Sequence, residues 1–429
     1  MDGILYPSSK SRQQRLHIKP FSALREFIMA ALLIWLVCPY QVFFTNWYIY
    51  GCLWAIWMAL AFCTDAVAFK YMAFSKYTWV ALTWPCAILI LSLVDWADFA
   101  PYQFTIVLVI SAFVYYAKGK HVKSLRFLLA LYTVYAIMIS LFSIQQLQIN
   151  PEISRILANS DKDITSEYAG PFMANFSFVN GTTLVSLFWV FNYKCTYGKW
   201  SRIISLILVV AGVYLLICAQ YSIALFLFLI FAAVVLMFCS KRNRNNNVKA
   251  MFIMLLLAML IPLMGTILQS ISDLMSPGYV ARRLKSLGMM LNFEGVPQGS
   301  DLFKRLELYK LSTSTFFDNF FFGVGGKYYG ANGLVGGHSQ ILDNFAYYGV
   351  LFGSQFIWYL TCVYKNVAAF FKNDFKRIYR MIFIVYMIQC LVNTSYNEEM
   401  LFTIFFLVPS LIYLAQYDRE QAETEVRDQ

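Results

Sequence analysis

The chain of 429 residues is 60% hydrophobic and 18% aromatic, but only 13% of its residues are charged. A soluble domain carries about a quarter charged residues, so this composition excludes an ordinary soluble protein. It predicts an all-α, polytopic membrane protein with one membrane domain over 1–429. The net charge of +11 is spread unevenly over the two predicted faces, which argues against nucleic acid as a partner.

Uncharged runs divide the chain into about twelve predicted membrane spans. A helix that crosses the hydrocarbon needs ~20 residues, so the two longest runs, 27–64 and 203–240, hold two spans each. We expect their breaks near Pro39–Asn46 and near Ala219–Ser222. The runs that hold one span each are 77–94, 99–117, 127–151, 168–193, 250–272, 344–364, 381–397 and 400–417.

Lysine and arginine favour one predicted face. With the N-terminus inside, the inner segments hold 25 of the 34 Lys and Arg residues, and every short outer connection holds none. This asymmetry follows the positive-inside rule and predicts that both termini are cytoplasmic. The positive charge then faces the anionic lipid of the inner leaflet.

Two predicted outer connections are long. One covers 147–170, between spans five and six, and the other covers 273–337, between spans nine and ten. Together they carry all nine outer basic residues. A long structured loop on one face is usually functional, so we expect the chemistry of the protein in these loops.

His338 is the only histidine in a predicted outer segment. It follows Gly336-Gly337, so we expect it in the first turn of span ten, where the helix terminus disfavours imidazolium. A neutral imidazole can accept a proton or a hydrogen bond. The alternative is a structural histidine that caps loop backbone. His17 and His121 lie in basic inner segments, where a solvated or lipid-surface role is expected.

Basic residues cluster in the second outer loop. Arg305 opens a segment in which apolar and charged residues alternate, a pattern that predicts an interfacial helix on the outer leaflet. Arg282, Arg283 and Lys285 form a second cluster. The planar fork of arginine binds phosphate in a bidentate manner. Each arginine alone is equally explained by snorkelling to lipid headgroups, but together they favour a bound anion.

Glycines are frequent in the same loop. The segments 323–326 and 330–337 predict tight turns and close approach of the backbone. The sequence GVGGKYYG lacks the strand–loop–helix context of a nucleotide-binding loop, so we exclude that function. Gly349 and Gly353, four residues apart, are interpreted as a small-residue helix contact.

The cysteines and acids indicate no metal site. The nine cysteines lie nearly all in apolar runs without a CxxC pair, so we expect buried small side chains and no disulfide or zinc ligand. The outer acids form no close-spaced set. No metal ion or other cofactor is therefore expected.

Together these features resemble one superfamily of bacterial inner-membrane proteins, the O-antigen ligases and Wzy-type O-antigen polymerases. The similarity is specific in 305–353, weaker in 170–176, and only topological elsewhere. The residues that carry it are Arg305, the sequence FFDNFFFGVG at 316–325, His338-Ser339 with Leu342, the pair Gly349 and Gly353, and the sequence GPFMAN at 170–175.

The resemblance implies a glycosyltransferase that needs no metal. It would transfer a glycan from an undecaprenyl-pyrophosphate carrier to an acceptor sugar hydroxyl on the outer face. Arg305, on the pyrophosphate, and His338, as base or acceptor-orienting group, are the implied catalytic residues. The candidates for contacts with the pyrophosphate or the sugars are Arg282, Arg283, Arg155, Asn175 and Tyr309.

The chain departs from the family at one turn. Members often carry a Thr-x-Ser-Arg type turn between the two spans before the loop-bearing ones. Here the turn reads AQYSI at 219–223, without arginine. Either another residue, such as Arg155 or Arg282, supplies that contact, or the pyrophosphate is held differently.

Two activities fit this resemblance. A polymerase joins lipid-linked oligosaccharide repeat units into O-antigen, capsule or exopolysaccharide, whereas a ligase attaches the glycan to lipid A core. We favour the polymerase because the chain diverges from the ligase pattern and is rich in aromatic residues. The expected partners are the lipid-linked oligosaccharide, as donor and acceptor, the bilayer, a chain-length regulator and a flippase.

A transporter or flippase of the same lipid-linked sugar is the alternative from another class. Such proteins usually show internal repeats and charged residues near the bilayer midplane. The predicted span cores hold essentially no charge, and no repeat is evident. Glycan transfer is therefore the preferred interpretation.

Overall fold

The computed structural model describes the chain apart from residues 1–18, 39–46, 150–172, 197, 220, 239–264, 275–278, 293, 296–299, 327–332 and 428–429. Over the described residues the protein is all-helical and contains no strand. A short 3-10 helix, Pro101–Phe104, and a π-helical turn, Thr403–Leu407, accompany the α-helices. Residues 265–274 are also helical. The α-helices are α1 Lys19–Val37, α2 Trp47–Thr64, α3 Ala66–Ala73, α4 Lys76–Leu93, α5 Thr105–Lys118, α6 Val122–Ile149, α7 Phe176–Cys195, α8 Lys199–Cys218, α9 Ser222–Phe238, α10 Tyr279–Leu291, α11 Asp301–Asp318, α12 Gln340–Ala368, α13 Asn373–Val392, α14 Glu398–Phe402 and α15 Val408–Arg427.

The two longest apolar runs divide where the sequence predicts. The run 27–64 separates into α1 and α2, and the run 203–240 separates into α8 and α9. The first break was expected from the sequence because proline lacks the N–H that a continuing helix requires. Each long run therefore forms two helices.

Among the described residues, five helices are long and apolar enough to cross a membrane. The helix Ile223–Met237 is apolar but shorter. The total of about twelve spans and the orientation of the termini stay predictions. The five are Trp47–Thr64, Lys76–Leu93, Val122–Ile149, Lys199–Cys218 and Glu398–Glu425.

Helix α5 lies at the centre of the bundle. Every residue from Thr105 to Ala117 is buried. A helix that is apolar on all sides belongs inside a large core or a membrane bundle. Helices α3, α4, α6, α14 and α15 and the π-helical turn pack against it.

Contacts sort the helix ends into two groups. At the end predicted to face outward, the Gly326 N–H donates to the Trp96 carbonyl at 2.8 Å. At the other end, Lys372 Nζ lies 3.1 Å from Glu420 Oε1. Segments predicted on the same face thus meet at the same end, as alternate crossing of the chain requires. We call these the outer end and the inner end.

A buried polar cluster occupies the inner end. Arg25 is 3% exposed and forms an ion pair with Glu26. Its guanidinium also donates to Thr64 Oγ1 at 2.7 Å and to the Tyr115 hydroxyl at 2.5 Å. Tyr116 donates to the second carboxylate oxygen of Glu26 at 2.7 Å. This set, the inner cluster, balances its positive charge internally.

The expectation of a solvated or lipid-surface role is wrong for His121. Its ring stacks on Tyr115 with 5.1 Å between the centroids, and its Nε2 lies 3.2 Å from Asp65 Oδ2. The His121 side chain is only 18% exposed. The turn between α5 and α6 folds back on the end of α2, which places the imidazole against the bundle. His17 lies outside the described residues.

The expectation that the cysteines are buried is also wrong for most of them. Of the described cysteines, only Cys390 is buried, and Cys52 and Cys63 are exposed. Lipid tails are as apolar as a protein interior, so an apolar run on a span does not predict burial against protein. None of the described cysteines forms a disulfide.

Candidate functional site

Helix α11 runs beside the first half of α12 in the same direction. Ser312 Oγ donates to Asp343 Oδ1 at 2.6 Å. Further along both helices, the rings of Phe316 and Phe345 lie 5.3 Å apart. The helix predicted to begin near Arg305 is confirmed as a helix, and its place at the lipid surface stays a prediction. This pairing brings the start of α11 next to the loop that precedes α12.

Asp343 fixes that loop. The carboxyl is 3% exposed and accepts hydrogen bonds from Ser312 Oγ at 2.6 Å and from the Ser339 N–H at 2.9 Å. Ser339 in turn accepts from the Leu342 N–H at 3.1 Å, and Ser312 accepts from the Gly336 N–H at 2.9 Å. Burial raises the pKa of Asp343 above its usual value, although these hydrogen bonds oppose the rise.

The predicted close approach of a glycine backbone is confirmed at Gly336. A Cβ atom at this position would lie 2.3 Å from the carbonyl oxygen of Leu308 on α11. The next residue, Gly337, has φ +70°, a region that glycine adopts without steric cost. Only glycine therefore lets the loop reach α11 and turn into α12.

His338 lies before the helix and not in its first turn, which corrects the prediction. Ser339 has an extended backbone and caps α12, whose first residue is Gln340. Serine is a preferred N-cap because its oxygen satisfies a free N–H of the first turn. The helix thus starts after Ser339, and His338 is exposed at the end of the loop.

The pKa of His338 lies below the usual value, as expected, but for other reasons. Partial burial of the ring is the first cause, and the positive charge of Arg305 is the second. The prediction attributed the shift to the helix terminus. A protonated imidazole beside a guanidinium is disfavoured by like-charge repulsion. The two residues of the predicted catalytic pair are therefore near each other.

The surroundings of His338 also select one tautomer. Its Nδ1 lies 3.1 Å from the carbonyl oxygen of Gly337. Because a carbonyl only accepts, the neutral ring donates from Nδ1 and keeps a lone pair on Nε2. Among the described residues, Nε2 has no hydrogen-bond partner. His338 thus presents an unoccupied proton acceptor.

Arg305 is half-buried against the end of α13. Its guanidinium donates to Asn393 Oδ1 at 3.1 Å. Tyr309, whose hydroxyl donates to the Val392 carbonyl at 2.6 Å, lies close enough to feel the charge of the guanidinium. Burial raises the pKa of Tyr309, against the opposing charge of Arg305, so the phenol is protonated. The predicted neighbours Arg305, Tyr309 and His338 are thus brought together.

Arg305 has no acidic partner in the described part of the chain. None of the ion pairs found there includes it. Arginine has five N–H donors, and among the described residues Asn393 accounts for one of them. The remaining donors and the full positive charge are available to a ligand.

Asn175 begins a helix, as the resemblance implies. Its Oδ1 accepts from the Phe178 N–H at 2.8 Å and so caps α7, while its Nδ2 donates to Glu399 Oε1 at 2.6 Å. Glu399 is 5% exposed. The connector 393–397 joins this pair to Arg305, because its first residue, Asn393, holds the guanidinium. Asn175 therefore lies at the same end of the bundle as the candidate site.

The other predicted ligands are not joined to this group. Arg282 on α10 is exposed, and no described hydrogen bond or ion pair links it to Arg305 or His338. The side chain of Arg283, and Arg155 as a whole, lie outside the described residues.

Sequence reasoning missed Asn393 and Glu399. Both belong to the segment NTSYNEE at 393–399, which interrupts the apolar sequence between α13 and α15. That concentration of polar residues between two predicted spans was a usable signal. The contacts that Asn393 and Glu399 make with residues 88 and 224 positions away could not be inferred from any local pattern.

The interpretation of Gly349 as a helix–helix contact is wrong. Gly349 has φ +64° and interrupts α12. A Cβ atom there would lie 2.2 Å from the carbonyl oxygen of Phe321, in the turn that follows α11. The same turn bonds to the broken helix, where the Val324 N–H donates to the Ala346 carbonyl at 3.0 Å. A Cβ atom at Gly353 would lie 2.7 Å from the ring of Phe345 in the same helix.

The arrangement combines a cation that lacks an acidic partner with a neutral base. The guanidinium can stabilise negative charge that develops on a leaving group, and Nε2 of His338 can accept a proton from a hydroxyl. Among the described residues, no group of three or more His, Cys, Asp and Glu side chains is placed to hold a metal ion.

Comparison with known proteins adds no family to this description. The chain matches no protein-family model and no curated protein sequence. The candidate site therefore rests on its own geometry and on the similarity of its residues to the ligase and polymerase pattern.

Proposed function

We propose that the chain is a metal-independent glycosyltransferase of the bacterial inner membrane. It polymerises lipid-linked oligosaccharide repeat units into surface polysaccharide. The donor glycan is carried on undecaprenyl pyrophosphate, and the acceptor is a sugar hydroxyl on another lipid-linked unit. The apolar helices support a membrane location, and the residues 305–353 support the reaction class by their resemblance.

One observation carries the proposal. Arg305, a half-buried cation held by a neutral amide, lies near His338, an exposed imidazole with a lowered pKa and an unoccupied Nε2. An anionic leaving group and a hydroxyl nucleophile are the two species that such a pair serves. A lipid-linked glycan donor and a sugar acceptor supply both.

The proposed transfer forms one bond, breaks one bond and moves one proton. The acceptor oxygen attacks C1 of the donor sugar, and the bond between C1 and the phosphate oxygen breaks. The pyrophosphate leaves with the electron pair, and Arg305 stabilises its charge. The acceptor proton passes to Nε2 of His338, which later releases it to solvent. Tyr309 lies beside the guanidinium, and Asn175, which we retain as a candidate sugar contact, lies at the same end of the bundle.

A ligase would use the same chemistry with lipid A core as the acceptor. A flippase of the same lipid would need the cation but not the base. His338 therefore separates transfer from transport, and the acceptor separates polymerase from ligase.

The test is complementation of a polymerase-deficient bacterial host that carries the matching sugar cluster. Wild type, His338→Ala and Arg305→Ala are compared for the polysaccharide ladder on a gel, at equal membrane abundance. Lys310→Ala is the matched control, because Lys310 is an exposed cation on the same helix as Arg305. We expect a ladder with wild type and Lys310→Ala, and single repeat units on the acceptor with the two site variants.

The other outcomes are equally informative. Wild type that only attaches chains made elsewhere is a ligase. If both site variants still build the ladder, glycan transfer at this site is refuted. A wild type that restores export of the lipid-linked sugar without chain growth indicates a transporter.

A further inference from the structure

Arg305 differs from a structural arginine in the charge of its partners. Asn393, its side-chain acceptor, is a neutral amide that is 6% exposed. Asp343, an acid of the same site, directs its two carboxylate oxygens to Ser312 and Ser339. Within the described part of the chain, the positive charge of Arg305 is thus positioned without an acidic partner.

Both sides of Asn393 are fixed by the backbone. Its N–H donates to the Gln389 carbonyl at 2.8 Å, and its carbonyl accepts from the Gln340 N–H at 3.1 Å. These bonds tie the end of α13 to the start of α12. The amide oxygen therefore approaches the guanidinium from a defined direction.

We propose that Asn393 is a positioning residue that holds Arg305 as an uncompensated cation for a diphosphate group. This deepens the proposed function, on which the identity of the natural ligand rests. A carboxylate at position 393 would hold the guanidinium equally well. It would, however, occupy the cation with its own charge and repel the incoming anion.

A purely structural role for the hydrogen bond between Arg305 and Asn393 predicts a different result. The guanidinium of Arg305, a residue of α11, lies beside the C-terminal end of α13, where a cation stabilises the free carbonyls of that helix. For that role an aspartate at 393 is as good as asparagine or better, because it adds an ion pair. For the proposed role it is the worst choice. The two roles therefore predict opposite orders for Asn393→Asp and Asn393→Ala.

The experiment measures binding of inorganic pyrophosphate to the purified full-length protein in detergent, by calorimetric titration. The variants are Asn393→Asp and Asn393→Ala, with Arg305→Ala as the site-deficient reference. Asn397→Asp is the matched control, since it adds the same charge to the same connector. Asn397 caps α14 through its oxygen, and aspartate is an equally good cap. Melting temperature is recorded for every variant.

We expect wild type and Asn397→Asp to bind alike. Asn393→Ala should bind more weakly, and Asn393→Asp should bind about tenfold more weakly or worse, because the guanidinium is engaged. Asn393→Asp should melt at or above the temperature of Asn393→Ala. Binding by Asn393→Asp that equals wild type or exceeds that of Asn393→Ala would overturn the inference and leave Asn393 as a structural contact.

The ladder assay keeps this inference separate from the proposed function. If wild type builds the ladder but binds no inorganic pyrophosphate, the inference fails and the proposed function stands. If wild type and the variants follow the expected binding order but no ladder forms in the matching host, the anion site stands and the polymerase function fails.

Discussion

Two arginines, one at each end of the bundle, are held in opposite ways. Arg25 of the inner cluster is buried and paired with Glu26, and tyrosine and threonine hydroxyls surround it. Arg305 at the outer end is half-buried, its hydrogen-bond partner is a neutral amide, and a phenol lies beside it. Arg25 is the more buried of the two, but the charge of the partners decides whether each cation is neutralised.

The difference separates a structural cation from one that is available to a ligand. A buried ion pair is closed, since each charge satisfies the other. A cation held by neutral groups retains its field, which here also lowers the pKa of His338. We therefore expect substitution of Arg305 to reduce activity and substitution of Arg25 to reduce stability.

Arg25→Ala should give the largest loss of stability. It leaves the Glu26 carboxylate buried without its partner, and breaking a buried pair costs about 3–5 kcal/mol. The measurement is the apparent melting temperature of the purified protein, with Lys372→Ala, which removes an exposed pair, as the control. An unchanged melting temperature would mean that the inner cluster is not closed as described.

Arg305→Ala should leave stability nearly unchanged and reduce glycan transfer by about 10²–10³-fold, the usual effect of removing a donor to a developing anion. The rate is measured with membranes and lipid-linked repeat units, and the melting temperature is taken on the same preparation. A large drop in melting temperature with normal specific activity would make Arg305 a second structural arginine.

Gly349→Ala should disturb the support of the outer site. Gly349 has φ +64° and ψ −171°, a region essentially confined to glycine, where another residue costs about 1–3 kcal/mol. Its Cβ would also lie 2.2 Å from the Phe321 carbonyl oxygen. We expect a lower melting temperature. Gly51→Ala is the matched control, because no atom lies within 4 Å of its Cβ position and alanine favours a helix. Equal melting temperatures for the two variants would contradict this account of the break.

The smallest expected effect concerns the pH dependence of transfer. The lowered pKa of His338 keeps the base form present at neutral pH, so the rate should fall as the pH drops through a value below 6.5. The charged groups that act on the ring are Arg305, which lowers its pKa, and Asp343, which raises it. In Arg305→Gln the acid limb of the residual rate should move to higher pH. An acid limb that stays in place would remove His338 as the base or Arg305 as its neighbour.

Much of the architecture follows from the sequence alone. The uncharged runs predicted helices in the described part of the chain, and the two long runs divided where they were expected to. The helix at Arg305 and the close approach at Gly336 also followed from local patterns. These features depend on residues near one another in the chain, where hydrophobic length, capping and the absence of a side chain act directly.

The tertiary structure decided how the site is assembled. Asn393 reaches Arg305 from 88 positions away, and Glu399 reaches Asn175 from 224 positions away. No local pattern specifies such contacts. The same holds for Gly349, whose role depends on the turn after α11 filling the break in α12. The sequence determined which residues are candidates for the chemistry, and the packing of helix ends decided which of them meet, because only packing brings distant parts of the chain within hydrogen-bond reach.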